Sequence, residues 1–157
     1  MRIRRRHLPL FVAALAGMCG AIPAASAAGS GGNTERFIVV NTSTANGPTT
    51  GPISATGPIH ALGKDVPVDD NHDKFVFPKG TLLVTHHRTS GTQHFDKVTC
   101  TAQITEQGTY TITGGTKAYA GATGRGTYSL SGIFIACRNK PPLAASFIIR
   151  AAGPLRF

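Results

Sequence analysis

Short runs in which apolar and polar side chains alternate recur along the chain, and none shows the three-to-four-residue apolar spacing of an amphipathic helix over helical length. The runs cover 36–41, 52–62, 74–77, 81–87, 92–105, 110–113, 126–135 and 145–152, with Gly, Pro, Asn and Asp between them. Stretches 108–113 and 127–135 are rich in the Thr, Tyr, Ile and Phe that suit a pleated surface. Eight short strands with closely spaced turns predict an all-β antiparallel sandwich or barrel.

Residues two apart on a strand share a face, so the alternation also assigns sides. In 92–105, Val98, Cys100, Ala102 and Ile104 make an expected apolar face against Lys97, Thr99, Thr101 and Gln103. In 126–135, Ile133 and Ile135 share a side with Cys137. The opposite side carries Tyr128, Leu130 and Phe134, interspersed with Gly126 and Gly132. That second strand is expected to be covered on both sides or to line a lumen of mixed large and small residues.

The first residues set the compartment. Arg2, Arg4, Arg5 and Arg6 form a positive start, Leu8 to Cys19 is mostly apolar, and Ala25-Ser26-Ala27 has the form of a processing site. Residues 1–27 are therefore read as a secretory signal peptide, 28–34 as a flexible Gly/Ser-rich tail and 35–157 as one β-barrel domain. The apolar stretch is shorter than the roughly 20 residues of a membrane span. Arg5-Arg6 and Cys19 suggest twin-arginine export or lipidation, but Pro9 and Met18 fit those patterns poorly. The expected product is exported and extracellular, with no membrane attachment after cleavage.

Export changes the charge. The whole chain carries 16 Lys+Arg against 7 Asp+Glu, a net +9, and four of the arginines leave with the leader. The remainder is 12 − 7 = +5, spread without a dense basic patch, which argues against nucleic-acid binding. Of three cysteines, Cys19 also leaves, and Cys100 with Cys137 is an even pair in an oxidising compartment. A Cys100–Cys137 disulfide is expected, acting as a core staple. No C-x-x-C spacing supports a redox or metal role.

Residues 114–126, GGTKAYAGATGRG, hold five glycines between two strand-like runs. Gly114 and Gly115 suit a tight turn, Gly121, Gly124 and Gly126 suit a bend or a close backbone approach, and Tyr119 is the expected inward plug. A nucleotide-binding loop would open a helix, whereas a strand follows here. His86 and His87 are read as flanking a turn at Gly91 opposite His94, and His72 lies near Asp69, Asp70 and Asp73. Adjacent His86 and His87 face opposite ways on a strand, so polar rim residues are expected and no metal or other cofactor is assigned. The acidic group Asp65, Asp69, Asp70 and Asp73 lacks the D-x-D-x-D-G calcium pattern and is read as a solvated loop. Glu35 falls near the disordered start, and Glu106 borders an expected turn at Gln107-Gly108, where it would be exposed.

The residues in order, His86-His87, Gly91-Thr92-Gln93, Phe95, Cys100, Gly108-Thr109-Tyr110, Gly114-Gly115-Thr116, 118–124 and Gly126-Thr127, carry a family resemblance. The chain resembles secreted actinobacterial proteins of the allene oxide cyclase-like barrel superfamily, over roughly 38–155, and shares the GGT, aromatic, G-A-x-G pattern with plant dirigent proteins. Lys117 stands where many relatives carry another glycine, which leaves the turn conformation open. The resemblance implies an eight-stranded antiparallel barrel with a central cavity, and homo-oligomers occur among its members. Two functions follow as expectations. One is a barrel holding a small apolar ligand, with Tyr110, Tyr128, Leu130 and Phe134 facing it. The other is an isomerase or cyclase, or a dirigent-like guide, that steers a reactive lipophilic intermediate by shape. No catalytic set of residues is assigned.

Overall fold

A computed structural model describes residues 33–44, 50–137, 140 and 143–157. The expected leader and all but the last two residues of the 28–34 tail lie outside the described residues. The strands are β1 (Thr34–Thr44), β2 (Gly51–Thr56), β3 (His60–Pro67), β4 (His72–Phe77), β5 (Gly80–Asp96), β6 (Thr101–Gly115), β7 (Thr123–Ile135) and β8 (Ala144–Arg156), with one short 3-10 turn at Lys117–Tyr119. Each strand pairs antiparallel with the next, and β1 pairs with β8, so the sheet closes into an eight-stranded barrel with no free edge. The all-β antiparallel barrel expected from the alternation is the fold that forms.

Over the core-forming stretches of the strands, alternate side chains point inward. Phe37 and Val39, Ile53 and Ala55, Phe75 and Phe77, Leu82 and Val84, Tyr110 and Ile112, and Leu155 fill one half of the lumen. Phe37 lies 5.1 Å from Phe75 and 6.2 Å from Tyr110, ring centre to ring centre, in the tilted and edge-on geometries that aromatic quadrupoles favour. Tyr119 plugs this end, buried edge-on against Phe77 and packed on Phe157. Glu35, expected beside the tail, is part of the barrel wall. It sits in β1, fully buried, and accepts a 2.6 Å hydrogen bond from the Ile59 amide.

Three sequence expectations change because turns fall elsewhere. Run 52–62 divides into β2 and β3. Run 92–105 divides at a turn over 97–100, where the Asp96 carboxylate accepts the Val98 and Thr99 amides and Val98 is 93% exposed. The proposed Val98–Cys100–Ala102 face does not exist. Gly91 lies inside β5, which runs on through a register shift between Arg88 and Ser90, so His86, His87 and His94 lie on one strand and do not oppose one another.

Cys100 and Cys137 come together at disulfide distance, with Cα atoms 4.7 Å apart. They join the residue before β6 to the segment after β7, beside the Ala136 amide that donates to the Cys100 carbonyl. The bridge is a rim staple and not a core staple, since Ile133 and Ile135 face outward. In the glycine-rich stretch, Gly114 and Gly115 end β6, Gly121 has φ +77°, and Gly124 and Gly126 lie within β7. Lys117 adopts φ 54°, a left-handed conformation that glycine would hold without penalty.

Candidate functional site

The second half of the lumen is built differently. The lumen-facing positions of β3, β4, β5 and β6 beyond the aromatic layer carry Asp65, Asp73, His86 and Glu106. Tyr128 comes from β7, while β1 and β8 contribute the apolar Val39, Ile149 and Ala151. Register explains the grouping: Asp73 pairs with Val84, one inward step from His86, and Glu106 pairs with Leu130, one inward step from Tyr128. Gly108 of β6 pairs with Tyr128, and a Cβ there would overlap the Tyr128 ring, so the missing side chain is what seats the tyrosine.

These groups enclose a cavity of about 80 Å³ walled mainly by apolar side chains. One water needs roughly 10–15 Å³ and a drug-sized ligand several hundred, so this space takes a compact molecule. Its polar members are joined in two sets. His86 Nε2 lies 3.2 Å from Asp73 Oδ2. The Tyr128 hydroxyl donates to Glu106 Oε1 at 2.5 Å, while the Arg88 guanidinium stands 3.6 Å from Glu106 Oε2. His86, Asp73 and Glu106 keep 28%, 17% and 22% of their side-chain surface, so solvent reaches the cavity from this end. Asp65 belongs to neither set. It is 3% exposed, and its Oδ1 has no hydrogen-bond partner.

Burial sets the protonation pattern. It pushes the Asp65 carboxyl up to about 7, with the neighbouring Asp73 charge acting in the same direction and His86 opposing both. His86 is raised chiefly by its hydrogen bond to Asp73, against the effect of burial. Burial lifts Tyr110 to about 12 and raises Tyr128 further, the latter also through its bond to Glu106. Tyr110 therefore stays a neutral phenol, and its buried hydroxyl is without a partner. At the plugged end, burial also raises Glu35, against the lowering effect of the Ile59 amide. The cavity thus holds one carboxyl that can give or take a proton near neutral pH, two neutral phenols and two engaged carboxylates.

Of the residues expected to face a ligand, Tyr110, Tyr128 and Leu130 stand in the cavity wall. Phe134 lies farther along β7, stacked edge-on against Phe147 at 4.8 Å, outside that wall. Glu106, expected at an exposed turn, is in mid-strand and part of the site, because β6 runs unbroken from Thr101 to Gly115. The expected solvated acidic loop also divides: Asp69 and Asp70 are exposed, with Asp69 accepting from His72, whereas Asp65 and Asp73 turn inward. Asp65, Asp73, Arg88 and Glu106 were not expected in a site. The alternation Ala61, Gly63, Asp65 was the available signal for the first of them.

A larger groove of about 520 Å³ runs over the outer wall between Arg36, Gln107, Ser129 and Arg150, open to solvent. Among the described residues, no group of three or more His, Cys, Asp or Glu is placed to hold a metal ion, and no helix is long and apolar enough to cross a membrane. No family model, no curated protein and no solved structure matches the chain.

Proposed function

We propose that the chain is an exported small-molecule-binding barrel that receives a compact, largely apolar ligand through the solvent-reachable end of its lumen. The observation that carries this reading is a cavity of about 80 Å³ with apolar walls and a buried, unpartnered Asp65 carboxyl among them. Apolar walls with few convergent polar groups are the usual make-up of a ligand site. The rim disulfide and the leader-like first residues support export, and the closed eight-stranded barrel is compatible with the allene oxide cyclase-like resemblance.

Native mass spectrometry of protein purified from its own host tests the reading. A bound species of low mass is expected on the wild type and is expected to be lost in Ala151→Phe, which fills the cavity. A folded wild type with no adduct, under conditions that preserve weak complexes, counts against it.

A second reading, an isomerase or cyclase guiding a reactive lipophilic intermediate, is favoured by one feature. Asp65, held near neutrality beside the Asp73–His86 pair, has the proton affinity of a general acid or base. It predicts turnover of the bound species with a pH profile governed by Asp65, and stoichiometric recovery of an unchanged ligand argues for binding alone.

A further inference from the structure

We propose that the ligand of this lumen carries a protonated amine, which the Asp65 carboxylate receives. The inference rests on the binding reading above and adds the ligand's charge. Three carboxylates face the cavity: Asp65 from β3, Asp73 from β4 and Glu106 from β6. Against them stand His86 within the cavity and Arg88 at its border, both from β5. Tyr110 and Tyr128 supply neutral phenols, and the wall residues from β1, β7 and β8, Val39, Leu130, Ile149 and Ala151, carry no charge.

The two cations are already engaged, His86 with Asp73 and Arg88 with Glu106. Asp65 is the remaining acid. It is nine-tenths buried and more, it lines the cavity, and one of its oxygens meets no donor. A buried carboxylate without a donor or a cation of its own costs free energy; no donor reaches Asp65 Oδ1, and the His86 charge that acts on it is already engaged by Asp73. An ammonium group supplies both, in the charge-assisted geometry that is about twice as strong as a neutral hydrogen bond. Phe75, Tyr110 and Tyr128 offer ring surface for the same cation and for the apolar body attached to it. An anion would meet three carboxylates.

Three probes of one shape and different charge decide the matter: butylamine, butan-1-ol and butyrate, titrated calorimetrically into the purified protein at pH 8. The expected order is butylamine first, by about tenfold or more over butan-1-ol, with butyrate weakest. Asp65→Asn is expected to remove that preference while leaving butan-1-ol binding in place. The wild type offers a second readout should the variant fold poorly. Butylamine affinity should rise between pH 5 and 8 as Asp65 ionises, because an alkylammonium titrates only near 10.4. Butan-1-ol or butyrate binding as well as the amine, or amine affinity unaffected by pH and by Asp65→Asn, overturns the amine inference and leaves the binding reading standing. No binding of any probe, together with an adduct-free protein in native mass spectrometry, overturns both.

Discussion

The Tyr128 hydroxyl donates to Glu106 Oε1 at 2.5 Å, joining β7 to β6 across 22 residues of sequence at the boundary between the filled and the open half of the lumen. Arg88 approaches the other oxygen of the same carboxylate from β5, so three neighbouring strands are tied at one point. Removing the phenol oxygen by Tyr128→Phe is expected to cost about 1–2 kcal/mol, since the partly buried Glu106 then keeps only a partly exposed Arg88. Urea denaturation at pH 7 measures it, and an unchanged midpoint with unchanged slope contradicts the assigned bond.

Asp65 makes stability depend on pH in a stated direction. Its folded pKa of about 7 lies above the ordinary 3.8, so the folded state holds a proton that the unfolded chain releases between those values. The stability that this group contributes is therefore full below about pH 4, falls as pH rises towards 7, and levels off above that. The loss attributable to this group is on the order of 4 kcal/mol. His86, whose folded pKa is raised, adds stability present below its ordinary value that is lost as pH rises through the folded one, so both groups act in the same sense. Denaturation midpoints from pH 4 to 8 should fall for the wild type and fall much less for Asp65→Asn. A wild-type midpoint that climbs over this range contradicts the placement of Asp65.

Gly126 is bare for packing reasons. A Cβ there would overlap the Ala152 carbonyl oxygen and crowd the Tyr110 ring, neither of which can retreat inside a closed barrel. Gly126→Ala is expected to lose more than about 2 kcal/mol. Gly114→Ala is the contrast, because its nearest neighbour would be a Leu83 methyl at 3.9 Å, and it should stay within about 0.5 kcal/mol of wild type. Equal thermal shifts for the two variants would show that the glycines of this stretch act through chain flexibility alone.

The rim disulfide closes 37 residues of sequence that hold β6 and β7. In the chain-entropy description such a loop contributes about 4 kcal/mol at most. Because Thr101 already pairs with Ile135 beside it, reduction should lower the melting temperature without dissolving the barrel. Calorimetry with and without reductant checks this, and an identical melting temperature contradicts it.

Period-two alternation made the barrel legible, since strands such as β1 and β7 present one side to the lumen along their whole length. Tyr119 was legible as a plug because glycines surround it. Turn positions were less so: Gly91 reads as a turn in sequence but sits beside a β5 irregularity, and the true turn is set by the Asp96 carboxylate capping two amides. The polar half of the site was hidden for a related reason. A lone acid such as Asp65 between Lys64 and Val66 looks like a solvated loop residue until closure of the barrel turns it inward and buries it. Distances across a lumen are set by register and shear, and one strand's pattern does not carry them.

The central claim is that an unpaired, buried Asp65 faces a cavity that a small molecule can enter. Carbon-13 NMR of the Asp65 side-chain carboxyl, titrated with and without butylamine, tests it most directly. The account predicts a midpoint of about 7 in the free protein and a clear fall when the amine is present. A midpoint in the ordinary aspartate range near 3.9, or one that the amine does not move, would contradict it.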